Sequence, residues 1–77
     1  MKIYTYASLK DYFEKEFNVD EQLATIQELN NFLAQRKPEA AAVLSCSRYA
    51  VRDSFVDNDF VLSKEDNIHI MPPSSGG

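Results

Sequence analysis

The chain has 77 residues, enough for one small domain that buries only about 60% of the surface its unfolded form exposes. An apolar content of 44% is that of a folded rather than a disordered chain, and a net charge of −4 without any Lys/Arg stripe excludes a phosphate-backbone partner and makes nucleic acid an unfavoured one, leaving basic protein surfaces. One cysteine, Cys46, excludes an internal disulfide; with no apolar run of ~20 residues and no signal peptide, the expected setting is reducing and cytoplasmic, away from membranes.

Residues 2–7 are rich in aromatic and β-branched types and predict a first strand. Ser8 is the expected N-cap of a helix in which Leu9, Tyr12, Phe13 and Phe17 follow at helical spacing. Asn18-Val19-Asp20 ends it, and a short weak strand is expected near residues 21–24. Thr25 and Glu28 fit a capping box that opens a second helix, with Ile26, Leu29, Phe32 and Leu33 as its apolar stripe. Pro38 stops that helix, because the residue before a proline is pushed out of helical angles, and residues 39–44 predict a short helical turn. Residues 48–52 read as a strand, with Tyr49 and Val51 on one face and Arg48, Ala50 and Arg52 on the other. After a turn at Asp57-Asn58-Asp59 come a short extended piece at residues 60–62 and a turn at residues 63–66. The final strand, residues 67–71, places Ile68 and Ile70 inward.

This order predicts an α+β domain over residues 1–71, with a helix packed across one face of a mixed sheet and the first and last strands paired in its middle. Residues 72–77 form an expected flexible tail. Pro72 and Pro73 cannot extend a strand ladder and favour an extended spacer, and Ser74, Ser75, Gly76 and Gly77 carry little or no side chain. The only glycines of the chain stand at this end. Four extended residues reach at most ~13 Å. Such a thread, ending in the Gly77 carboxylate, suits a narrow active site on another protein.

Three stretches carry a family resemblance. Ile3-Tyr4-Thr5-Tyr6-Ala7-Ser8-Leu9 is similar to a first strand and its exit, Arg48 to Val56 resembles a strand that typically reads A-V-N, and Leu62 to Gly77 is similar to an L-x-x-G-D-E-V-x-x-x-P-P-V-S-G-G ending. Together they resemble the β-grasp, ubiquitin-like sulfur carriers, and within them the small subunits of molybdopterin synthase. Arg52 stands where the family usually has Asn, Glu65 replaces the turn Gly, Asn67 replaces Glu and Ser74 replaces Val. With Glu65 at the turn, Asp66 or Asn67 is expected to take a positive φ.

The resemblance implies that Gly77, backed by Gly76, is the reacting end. Its carboxylate would be adenylated with ATP by a ubiquitin-activating-like adenylyltransferase, converted to a thiocarboxylate, and would pass sulfur to a pterin precursor on the synthase large subunit. The chain would then be the sulfur-donating subunit of a heteromeric sulfurtransferase, with the catalytic pocket on the partner and no cofactor or metal of its own. Two alternatives share the sequence features: a sulfur carrier for thiamine synthesis or tRNA thiolation, or a ubiquitin-like modifier, and a non-catalytic β-grasp interaction module.

Other chemistry is thinly represented. Cys46 follows Val43-Leu44-Ser45 and reads as a small buried hydrophobe; His69 lacks metal-ligand companions and is placed on the outer sheet face; Asp57, Asp59, Glu65 and Asp66 read as turn carboxylates. If Ile3, Thr5, Val51, Val56, Ile68 and Ile70 point inward, then Tyr4, Tyr6, Phe55 and Met71 point outward, which makes that face an expected interface. Tyr6, Phe55, Met71, Pro72, Pro73, Ser74 and Ser75 are the partner-binding candidates.

Overall fold

The structure is a computed structural model and describes residues 1–73. Its five strands are β1 (Lys2–Thr5), β2 (Glu16–Asn18), β3 (Arg48–Val51), β4 (Ser54–Val56) and β5 (Asn67–Met71), with helices α1 (Ile26–Arg36) and α2 (Ala41–Cys46) between β2 and β3. They form one mixed sheet in the order β2-β1-β5-β3-β4. β1 and β5 run parallel at the centre, with Ile3 opposite Ile68, and every other pairing is antiparallel. The first and last strands are thus central neighbours, as expected.

One face of the sheet is apolar because the strands alternate. Ile3, Tyr49, Val51, Ile68 and Ile70 point inward and meet Ile26, Leu29, Leu33 and Leu44 of the helices in one buried cluster. Thr5 is also fully covered, and its hydroxyl donates to the Glu14 carbonyl, so this inward polar group is satisfied. Tyr49 places its hydroxyl against Asn30 of α1, whose amide donates to it at 2.7 Å and to the Leu44 carbonyl at 2.9 Å. Burial pushes the Tyr49 phenol up to about 12, with the Asn30 bond opposing the shift.

The capping box at the start of α1 forms with its return bond shifted by one residue, from the N-cap Thr25 to Ala24 before it. Thr25 Oγ1 accepts from the Glu28 amide, and the Glu28 carboxylate reaches back to the Ala24 amide at 3.0 Å. α1 ends at Arg36, before Lys37-Pro38. The predicted turn at residues 39–44 is a 3-10 turn, Pro38–Ala40, running into α2.

Several expectations are corrected. The segment from Ser8 to Phe17 is not one helix. Ala7–Asp11 is a 3-10 turn whose N-cap is Tyr6, without a side-chain cap from Ser8. Phe17 lies on β2 opposite Ile3, while its neighbours Glu16 and Asn18 are exposed. Buried Leu9 anchors the short turn, and the chain returns to hydrogen-bond along β1, which a longer helix would forbid. The weak strand therefore lies at Glu16–Asn18 and not at residues 21–24. The extended piece at residues 60–62 makes one isolated bridge, Val61 with Thr25.

β3 ends at Val51, one residue earlier than expected, because Arg52 and Asp53 both adopt left-handed angles (φ 53° and 66°) and form a two-residue hairpin into β4. Such a turn matches strand twist but needs positive φ at both central positions. The positive φ expected at Asp66 or Asn67 is found instead at Ala7, Arg52 and Asp53. An Arg in this region is disfavoured by about 1–2 kcal/mol. Its guanidinium is tied to Asp66, with Nη2 donating at 3.0 Å and Nε at 3.2 Å. Asp66 is itself buried and also accepts from the Ser63 amide at 2.8 Å. Cys46, expected to be buried, is exposed near the end of α2; Leu44 takes the inward position of that short helix.

Candidate functional site: the outer sheet face and the root of the tail

The face of the sheet turned away from the helices reads, across the strands, Glu16–Tyr4–His69–Ala50–Phe55. At the β2 edge, Lys2 and Glu16 form an ion pair at 2.9 Å. Their hydrogen bond first, and their opposite charge second, hold Lys2 above and Glu16 below their ordinary values; both are exposed.

An aromatic stack occupies the centre. The Tyr4 and His69 rings lie 4.6 Å apart and within 9° of parallel. Tyr6 lies with its ring centre 5.9 Å from that of His69 and its plane within 25°, and its hydroxyl is hydrogen-bonded to His69 Nδ1 at 2.7 Å. Tyr6 reaches this position because the chain leaves β1 there and turns through the left-handed Ala7. The expectation that His69 faces outward holds; what the sequence did not reveal is that parallel pairing of Tyr4 with His69 builds the stack. That register is the signal, and it pairs the two ends of the chain, Lys2 with Asn67 through Thr5 with Ile70.

Toward β4 the face becomes a shallow hollow of about 300 Å³, lined by Ala50, Asp53, Ser54, Phe55, His69 and Met71. Phe55 is 53% exposed and Tyr6 40%. Both are large apolar groups left open to solvent, as an interface requires. Met71 is half-buried opposite Arg48, and Pro72 and Pro73 continue directly from it. Of the partner-binding candidates, the structure thus brings Phe55 and Met71 together around the hollow and sets Tyr6 against His69, another residue of that hollow's lining. Ser74, Ser75, Gly76 and Gly77 lie outside the described residues.

β5 is hydrogen-bonded on both sides, to β1 and to β3, up to the point where the tail begins. A strand held on two sides fixes the direction in which the following residues set out, more firmly than an edge strand would. Among the described residues no cluster of His, Cys, Asp or Glu could hold a metal ion, and no helix is long and apolar enough to cross a membrane.

Two solved structures share this architecture. One is a chain of the complex of subunits 1 and 2 of molybdopterin-converting factor from Helicobacter pylori, similar with a TM-score of 0.69 at 23% identity over 99% of this chain and 96% of that one. The other is SAMP1 from Haloferax volcanii, with a TM-score of 0.80 at 17% identity over 99% and 97%. At these identities the likeness establishes the shared ubiquitin-like β-grasp fold. Residues 3–77, from the first core residue of β1 through the diglycine, match the ThiS family. The chain therefore belongs to the ThiS family and is a β-grasp sulfur carrier.

Proposed function

We propose that the chain is the sulfur-carrying small subunit of a molybdopterin synthase. The observation that carries this reading is the run Pro72-Pro73-Ser74-Ser75-Gly76-Gly77, which follows directly on central strand β5 of a ThiS-family fold. The likeness to a chain from a molybdopterin-converting factor complex supports the two-subunit arrangement.

A carboxylate is a poor electrophile. The Gly77 carboxylate attacks the α-phosphate of ATP on an adenylyltransferase, forming an acyl-adenylate and releasing pyrophosphate. Hydrosulfide, or its equivalent released from a sulfur donor by a reducing thiol, then attacks the acyl carbon, AMP leaves with the electron pair, and loss of the S–H proton leaves the end as a thiocarboxylate. This group is a soft nucleophile comparable to a thiolate. On the synthase large subunit it gives its sulfur to the pterin precursor, and water restores the carboxylate. The outer sheet face docks the partner, through Tyr6, Phe55 and Met71, while Pro72 and Pro73 set the spacing to its active site.

The alternative within the same fold is a carrier for another sulfur pathway, thiamine synthesis or tRNA thiolation, or a ubiquitin-like modifier, which the family match leaves equally open. The test is to express the chain with each candidate adenylyltransferase and weigh it intact, then add the purified synthase large subunit and pterin precursor. Exchange of one oxygen for sulfur, followed by its loss with formation of the dithiolene product, supports the proposal. A thiocarboxylate that the large subunit never discharges assigns the chain to another pathway. An unchanged mass with every activating enzyme makes it an interaction module.

A further inference from the structure

Arg48 stands on the outer face at the side of the hollow, beside the root of the tail. Its guanidinium carbon lies 3.9 Å from the centre of the Phe55 ring, diagonally across the β3–β4 pair, and its cross-strand partner on β5 is Met71. Among the described residues Arg48 has no ion-pair partner, in contrast to Lys2 with Glu16 and Arg52 with Asp66. The chain as a whole is acidic, at −4. Arg48 lines a neighbouring hollow with Phe55, Asp57 and Asp59, but neither carboxylate comes within ion-pair distance, so its guanidinium is a free cation beside the apolar hollow of an acidic chain.

Stacking on an aromatic ring restrains the guanidinium plane and leaves its in-plane N–H fork free. That fork matches one chemistry best, a carboxylate accepting two parallel hydrogen bonds. The ring beneath also lowers the entropy lost when the fork engages, since the side chain is already held.

We propose that Arg48, held on Phe55, is the recognition point for an Asp or Glu side chain of the partner protein that docks on this face. The partner would present its carboxylate beside an apolar group that enters the hollow between Phe55, His69 and Met71. Arg48 then sets which partner docks, by a charge contact of the opposite sign to the one the chain's net charge would select. The inference rests on the outer face being the docking face.

The experiment measures affinity of the full chain for the purified synthase large subunit by calorimetry, at low and high sodium chloride, for the wild type, Arg48→Gln, Arg48→Lys and Phe55→Ala. An exposed-to-buried charge pair predicts that Arg48→Gln weakens binding about tenfold and flattens its salt dependence. Arg48→Lys, with charge but no fork, should recover only part. Swapping the charges, with Arg48→Glu against a partner Asp/Glu→Lys, should restore affinity in the pair that matches.

Unchanged affinity for Arg48→Gln while Phe55→Ala loses binding overturns the carboxylate contact and leaves the docking face intact. Unchanged affinity for both overturns the docking face itself. A loss that is equal at both salt concentrations assigns Arg48 to packing and also overturns the inference. Thermal unfolding of each variant identifies any loss that comes from misfolding.

Discussion

Phe55→Ala separates the two jobs a large apolar residue can have. Fully burying a phenylalanine side chain is worth ~1.5–3 kcal/mol. Phe55 is 53% exposed, so roughly half of that is realised on folding and half remains for docking. The folding half is about 1 kcal/mol, and losing the Arg48 stack adds ~0.5 kcal/mol at an exposed site. A 77-residue domain should then lose about 6–12 °C in Tm. The docking half is also about 1–1.5 kcal/mol, rising to about 2 where a central aromatic excludes water from its neighbours, or roughly 5- to 30-fold in Kd. Ile70→Ala is the matched control. Ile70 is fully buried on the opposite face, so its truncation should cost ~2–5 kcal/mol of stability and remove no docking atom. Calorimetric Kd for the synthase large subunit and thermal unfolding would be measured for both variants. A Phe55→Ala protein that binds as the wild type, or that falls in Tm as far as Ile70→Ala, would refute the assignment of Phe55 to an interface.

Three further outcomes are expected. Tyr49, raised from the ordinary tyrosine range to about 12 by burial, contributes stability that is complete below about pH 10 and is lost as pH rises from 10 toward 12, because only the unfolded state ionises it readily; alkaline unfolding curves should steepen there, and Tyr49→Phe should abolish that extra slope. Asp66→Ala removes the acceptor for the Ser63 amide and for Arg52, and should cost about 1–2 kcal/mol in denaturant unfolding, most of it from the charge-assisted bond between the buried carboxylate and the Ser63 amide because the Arg52 side chain is 66% exposed; a cost below about 0.5 kcal/mol would mean that Asp66 does not hold the hairpin. Gly76→Ala should slow single-turnover sulfur transfer and Gly76→Val should slow it more, since a methyl and then a β-branched side chain widen the tail, while Tm stays at the wild-type value; equal rates for wild type and valine would rule out a threaded tail.

What the sequence determined by itself is what depends on neighbours a few residues away. Thr25 and Glu28 announce α1 because a capping box is closed within one turn, and Pro38 ends it through its own ring. The alternation of β5, with Ile68 and Ile70 covered and His69 and Met71 outward, needs only the two-residue period of a strand. The thin tail after Met71 is likewise written in residue types, as is the family that its motif suggests.

The tertiary structure decided what depends on distant partners. Tyr12, Phe13 and Phe17 suit a helix by spacing, yet the open edge of β1 claims Glu16–Asn18 as a strand, and ladder hydrogen bonds from a distant segment override local periodicity. Arg52 has no intrinsic reason to take a left-handed angle; it does so because the β3–β4 hairpin demands one and a buried Asp66 holds its side chain. Cys46 lies exposed because Leu44 fills the one inward position available on so short a helix. The site follows the same rule. Tyr4 and Tyr6 meet His69 only once parallel pairing of the chain's two ends has set the register, and Arg48 meets Phe55 and Met71 through the antiparallel pairings of β3 with β4 and β5; a shift of one residue in these pairings would turn the side chains to the opposite face.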